Sequence, residues 1–254
     1  MHWEYTLLGL LAGILVGLTG VGGGSLVTPV LALFGVPTVS AVGTDLVFAA
    51  ITKTCGTVVH RAQRSVDWRI AGLLAAGSCP AALLTVLLLS SGRVHVGGLV
   101  EGTLAVALVL TGVSLCLDRE RVAGLARKAA RLRPLRPALT VAAGVLLGTL
   151  VTLTSVGAGA LGATFLAVLY PRLHARQIAG TDIAHAVPLT VIAGFGHFTL
   201  GNVDAALLAS LLVGSLPGIV VAGLVAGRLP ERAVRTVLAL VLMAVGARFG
   251  FAAV

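Results

Sequence analysis

Long apolar stretches recur from one end of this 254-residue chain to the other, and nothing else in the sequence restricts the fold as much. At 1.5 Å per residue, Ile70–Ser90 and Gly97–Leu117 can cross a hydrocarbon core of about 30 Å, and Thr236–Val245 nearly can. In lipid a spanning segment must satisfy its own backbone hydrogen bonds, so such runs read as helices. With 57% hydrophobic and 11% charged residues, and a mean hydropathy of +1.06, water is not the main solvent. The expected fold is therefore an all-α membrane protein. The early run Thr6–Leu18 lacks the basic start and small-residue cleavage site of a signal peptide and is kept as structure.

A net charge of +9 does not imply nucleic acid here. Seven basic residues fall in one segment, Arg119, Arg121, Arg127, Lys128, Arg131, Arg133 and Arg136, beside apolar spans. That pattern fits a cytoplasmic loop obeying the positive-inside bias. Cys55, Cys79 and Cys116 stand singly in apolar stretches, which suggests buried structural thiols rather than a zinc or disulfide framework. No metal site, cofactor or catalytic residue is expected.

The sequence also resembles itself at an offset of 137. Gly43-Thr44-Asp45 falls on Gly180-Thr181-Asp182, His60 on His197, Val66-Asp67 on Val203-Asp204, and Gly77-Ser78-x-Pro80 on Gly214-Ser215-x-Pro217. This sets residues 1–117 against 138–254, two membrane repeats joined by the basic linker 118–137. Equivalent loops carry opposite charge biases. Gly35–Ser40 is uncharged where Pro171–Gln177 has Arg172 and Arg176, and Arg61, Arg64 and Arg69 have no Lys or Arg counterpart in His197–Asp204. Ser90–Val96 has only Arg93, against Arg228, Arg232 and Arg235. Basic loops are cytoplasmic, so the halves are expected to be inverted-topology repeats. Each half reads as a glycine-broken helical hairpin plus three transmembrane helices, at 41–60, 70–90 and 97–117, then 178–198, 205–227 and 235–253.

The hairpin breaks, Gly20–Ser25 and Thr154–Gly159, are the expected site. Irregular backbone at membrane depth belongs inside the protein, where it lines a cavity. Helix N-termini following the breaks aim positive dipole ends at them and suit an anion. The candidate substrate-binding residues are Gly22, Gly23, Gly24, Ser25, Thr28, Thr154, Ser155, Gly157 and Gly159, with Thr164 nearby and Lys53 as a cation. Asp45 and Asp182 are candidate coupling residues for a proton or sodium, with His185 one turn from Asp182. The competing reading makes the glycines helix-packing residues and the aspartates N-terminal caps. His60 and His197 are read as interfacial, as are Glu101, Arg93 and Arg248. The pattern suits a secondary transporter for a small anion. A passive anion channel is a close alternative, and an intramembrane enzyme a more distant one, since neither Gly-x-Ser-Gly nor Gly-x-Gly-Asp occurs. Expected partners are the lipid bilayer and a small anionic substrate; assembly into an oligomer stays open.

Two motifs point to a family. G-L-T-G-V-G-G-G-S-L-V-T-P at 17–29 and A-V-G-T-D at 41–45, with the weaker copies V-G-A-G-A-L-G at 156–162 and A-G-T-D at 179–182, resemble the TauE/SafE sulfite exporters, also called toluene sulfonate uptake permeases. The resemblance implies a multi-pass protein of the bacterial inner membrane that transports sulfite, thiosulfate or an organosulfonate. In the second half Ala158, Ala160 and Leu161 replace the glycine-rich run, and Leu166 stands where a proline is expected.

Overall fold

A computed structural model describes residues 3–19, 24–92, 96–225 and 231–252. Among them all regular structure is helical: α1 (Trp3–Thr19), α2 (Gly24–Leu33), α3 (Thr38–Ala62), α4 (Trp68–Ser90), α5 (Val96–Leu115), α6 (Arg119–Ala129), α7 (Arg136–Thr154), α8 (Ala160–Leu169), α9 (Ala175–Thr199), α10 (Ala205–Val225) and α11 (Glu231–Ala252). Five helical stretches among the described residues are long and apolar enough to cross a membrane: Thr38–Ala62, Trp68–Ser90, Gly97–Leu115, Glu120–Thr154 and Ala175–Thr199. Their outward faces are aliphatic. Leu83, Leu84, Leu87 and Leu88 of α4 and Val106, Val109, Leu110 and Val113 of α5 are exposed, a clustering that lipid accommodates and water does not.

Glycine sets the helix pairing. α1 packs along α10 and α7 along α4. A Cβ added at Gly9 or Gly13 would run into the backbone carbonyls of Leu211 and Ser215; at Gly144 or Gly148 it would run into those of Leu74 and Ser78. Without side chains between them the backbones come close enough for Cα–H···O contacts, the usual way helices associate where lipid offers no hydrophobic drive. In both pairs contact numbers rise together, so the helices run parallel. α3 and α9 run antiparallel over their full length, because Gly43 meets Asn202, Gly194 meets Val47, Gly56 meets Ile183 and Gly180 meets Ser65.

These contacts correct the single offset. Leu211 and Ser215 lie 137 beyond Leu74 and Ser78, but Gly144 and Gly148 lie only 135 beyond Gly9 and Gly13. α8 matches α2 at 136, and 137 holds from α3 onward. By helix bounds, the α7–α8 connection is one residue longer than the α1–α2 connection, and the α8–α9 connection one longer than the α2–α3 connection. Connections absorb insertions, whereas a slipped helix register would drive Cβ atoms into backbone.

The basic linker is also not the loop that its charge suggests. It is α6 followed by a 3₁₀ stretch, Ala130–Leu135. Ala126 is buried while Arg121, Arg127, Lys128, Arg131 and Arg133 are exposed, and α6 packs on α8. The thiols differ from expectation as well: Cys55 and Cys116 are exposed and Cys79 is half-buried, all three free. Each lies on a helix face or end turned away from the core.

The pairings bring the basic connections together. The end of α3 meets the start of α9, α4 and α7 start side by side, and the Arg136 guanidinium lies 5.9 Å from the ring of Tyr170 at the end of α8. Arg61, Arg64, Arg69, Arg172 and Arg176 therefore share one end of the molecule with the linker. The opposite end holds Gly35–Ser40 and Gly201–Asp204, without Lys or Arg.

Candidate substrate site

The second break is ordered and buried. α7 ends at Thr154, whose hydroxyl donates to the Leu150 carbonyl (2.7 Å) and accepts from the Val156 N–H (3.1 Å). Ser155 then turns left-handed (φ 57°), and Gly157 and Gly159 take φ of 119° and 133°, values that favour glycine. α8 starts at Ala160. Every residue from Val151 to Gly162 is buried.

Lys53 reaches this break from α3. It is 5% exposed, and its Nζ donates to the Ala158 carbonyl at 3.2 Å. Asp45 and Asp182 both act on it through space, and neither is within ion-pair distance. Asp45 is fully buried; its Oδ2 accepts from the Thr28 hydroxyl (2.6 Å) and the Thr28 N–H (3.2 Å) on α2. Ser155 neighbours the same carboxylate. Asp182 rests on the first turn of α8, where a Cβ at Gly162 would collide with Oδ1. His185 Nδ1 stands 3.1 Å from the Asp182 carbonyl and 3.7 Å from Asp182 Oδ1.

Four buried atoms of this group have no hydrogen-bond partner among the described residues: Asp45 Oδ1, Ser155 Oγ, Asp182 Oδ1 and His185 Nε2. An unpaired buried polar atom costs about 1–3 kcal/mol, so a folded protein keeps several together only where they serve something. With both carboxylates ionised the cluster carries one positive and two negative charges. An anion is then opposed unless protons accompany it.

Several expected residues converge here: Thr28, Asp45, Lys53, Ser155, Gly157, Gly159, Asp182 and His185. The Thr154 and Thr164 hydroxyls do not open into the site. Thr154 closes the α7 terminus, and Thr164 Oγ1 lies 2.6 Å from Ser114 Oγ. Gly22 and Gly23 lie outside the described residues; Gly24 and Ser25 open α2. The aspartates are not caps. Asp45 is seven residues into α3 and Asp182 seven into α9, while Asp67 and Asp204 cap α4 and α10, accepting from Arg69 and Ile70 N–H and from Ala206 and Leu207 N–H. His197, read as interfacial, is fully buried, with Nε2 donating to the Thr152 carbonyl at 2.9 Å. Sequence reasoning missed Gly162 and the Ala158 carbonyl. Gly162 ends the weak V-G-A-G-A-L-G copy and was visible there, but a backbone carbonyl leaves no mark on residue type.

Comparison with known proteins now places the chain. The sulfite exporter TauE/SafE family matches residues 5–249. The chain belongs to that family. It is 38% identical over 255 residues to the "Probable membrane transporter protein YjnA" of Bacillus subtilis (strain 168), covering 97% of this chain and 98% of that one. Over 229 residues it is 30% identical to the "Probable membrane transporter protein YdhB" of the same organism, covering 87% and 89%. No solved structure matches. As a TauE/SafE member the chain is a multi-pass transporter of the cytoplasmic membrane, and its family motifs hold residues of the buried cluster: Thr28 in the first, Gly157, Gly159 and Gly162 in its copy, and the two aspartates in the Gly-Thr-Asp pair.

Proposed function

We propose that this chain is a secondary transporter carrying a small sulfur-containing anion, such as sulfite, thiosulfate or an organosulfonate, together with protons. The site is the buried cluster at the second break and its counterpart at Gly20–Ser25. The observation that carries this reading is the set of unpartnered buried atoms around Lys53. A buried ammonium with polar neighbours and helix N-termini suits an oxyanion, and two carboxylates suit the accompanying proton. The TauE/SafE family name supplies the sulfur chemistry. Counterflow in proteoliposomes against a panel of sulfur oxyanions, sulfonates and carboxylates tests it. Sulfur anions should exchange and carboxylates of equal charge should not; a preference for carboxylates rejects the substrate class.

The two halves are read as inverted repeats. The interchange of partners, α1 with α10 and α7 with α4, supports this, as does the antiparallel α3–α9 pair with all those basic connections at one end. With that end cytoplasmic, both termini are periplasmic. A cysteine on a short tag after Val254, in a chain lacking Cys55, Cys79 and Cys116, should react with an impermeant reagent from outside the cell. Reaction from the cytoplasm alone rejects the orientation.

A further inference from the structure

The Gly-Thr-Asp sequences do more than supply carboxylates. The Thr44 hydroxyl accepts from the Asp204 N–H at 3.0 Å, and the Thr181 hydroxyl accepts from the Asp67 N–H at 2.9 Å. In each case a threonine of one half holds the turn before the fourth helix of the other. The preceding glycines complete the contact, Gly43 lying against the Asn202 carbonyl and Gly180 against that of Ser65. These two closures lie at opposite ends of the antiparallel α3–α9 pair. Along α3 the distance from Thr44 to Ala62 is roughly 27 Å. Lys53 sits between them, nine residues after Thr44 and seven before His60. Each aspartate follows its threonine directly, so Asp45 lies behind one closure and Asp182 behind the other.

Each closure has one polar link, a threonine hydroxyl holding a capped turn that is seated on a glycine. Breaking the polar link in either exchanges one side-chain hydrogen bond for water at a cost of about 0.5–1.5 kcal/mol. At the Asp204 closure Val42 and Leu46, which flank Thr44, also pack in a buried apolar cluster, so the hydroxyl is the polar latch of a contact that apolar packing shares. They are equivalent at the 137 offset, so opening either gives a nearly matching rearrangement. They differ in one respect. At the Asp204 closure, His197 links Asn202 (3.4 Å) to the Thr152 carbonyl just before the break. At the Asp67 closure the equivalent His60 turns to the Ser65 hydroxyl at 2.8 Å.

We infer that Thr44 and Thr181 are the two gates of the transport path, each admitting solvent and substrate to Lys53 from one side. The inference rests on the proposed site. Its test needs no substrate: Ser155→Cys is the reporter in a chain lacking the native cysteines, and an impermeant maleimide is applied to right-side-out and inside-out vesicles. Thr181→Val should raise labelling at least tenfold from the basic, cytoplasmic end. Thr44→Val should do so from the opposite end, and Thr→Ser at either position should restore the parent pattern. Thr→Ala repeats the test without a branched side chain if a valine variant fails to insert. Labelling raised from the same side by both variants, or from neither by inserted protein, overturns the assignment. Opposite-sided labelling of the variants together with no sulfur-anion counterflow by the parent would retain the gates and reject the substrate reading.

Discussion

Replacing Lys53 by methionine should lower sulfur-anion counterflow at least about a hundredfold. A loss of that size corresponds to about 2.8 kcal/mol at 1.4 kcal/mol per decade. Methionine keeps an apolar stem of similar reach but removes the ammonium that meets the Ala158 carbonyl and faces both carboxylates. Removing one member of a buried charge set leaves the others uncompensated, which costs about 3–5 kcal/mol and could abolish function through folding alone. The Lys53→Met/Asp45→Asn double variant separates the causes. It has one carboxylate and one cation fewer, so the balance of buried charge is partly restored and the thermal midpoint in detergent should recover toward that of the parent. Counterflow should stay lost, because no cation remains to meet the anion. Recovered counterflow in the double variant would make Lys53 merely the counter-charge of Asp45.

The second large effect is on coupling. In the parent, a proton gradient should drive the anion toward the alkaline compartment, because protons and anion cross together and the proton runs from acid to alkaline. Thiosulfate is the better probe, since sulfite becomes membrane-permeant on protonation. Asp45→Asn/Asp182→Asn fixes both side chains in an uncharged, amide form. The cluster then keeps Lys53 without opposing carboxylates, and the anion itself becomes its counter-charge. In variant protein shown to be folded by its thermal midpoint in detergent, anion binding should therefore persist and counterflow should remain within a few-fold of the parent. Gradient-driven accumulation should fall to the passive level, a change from severalfold concentration to none. Single variants assign the proton: one that retains accumulation removes its aspartate from coupling. Retained accumulation in the double variant moves the coupling role to His185 or away from this cluster.

The features legible in the sequence were those that recur or that repel lipid. Apolar runs of membrane length gave the helices, and the Gly-Thr-Asp pair marked α3 and α9 because carboxylates are too costly in hydrocarbon to appear twice without use. Lys53 stood out for the same reason. What the sequence hid was mostly geometry between distant segments. The offset of 137 looked uniform because small apolar residues match one another easily, and only backbone contacts at Gly9, Gly13, Gly144 and Gly148 expose the register of 135. His197 looked interfacial because it sits near a helix end, but it is fully buried against α7, where the Thr152 carbonyl accepts a hydrogen bond from its Nε2. Nothing in the sequence assigns a role to Thr44 and Thr181, since a hydroxyl that accepts from a turn 160 or 114 residues away has no local signature.

The pairing of α1 with α10 has a consequence for how the chain is made. α1 is synthesised well before its partner, with 185 residues between Thr19 and Ala205. At a synthesis rate of 5–20 residues per second, α1 waits roughly 10–40 s with the carbonyl-facing glycines Gly9 and Gly13 uncovered. During that interval its glycine groove must be filled by lipid chains or covered by the insertion machinery. α4 waits for α7 for a shorter time, so the α4–α7 pair is expected to assemble first and serve as the scaffold onto which α1 and α10 close. The order of assembly therefore runs from the centre of the sequence outward, and neither half, expressed alone, contains the partners its own first and fourth helices require.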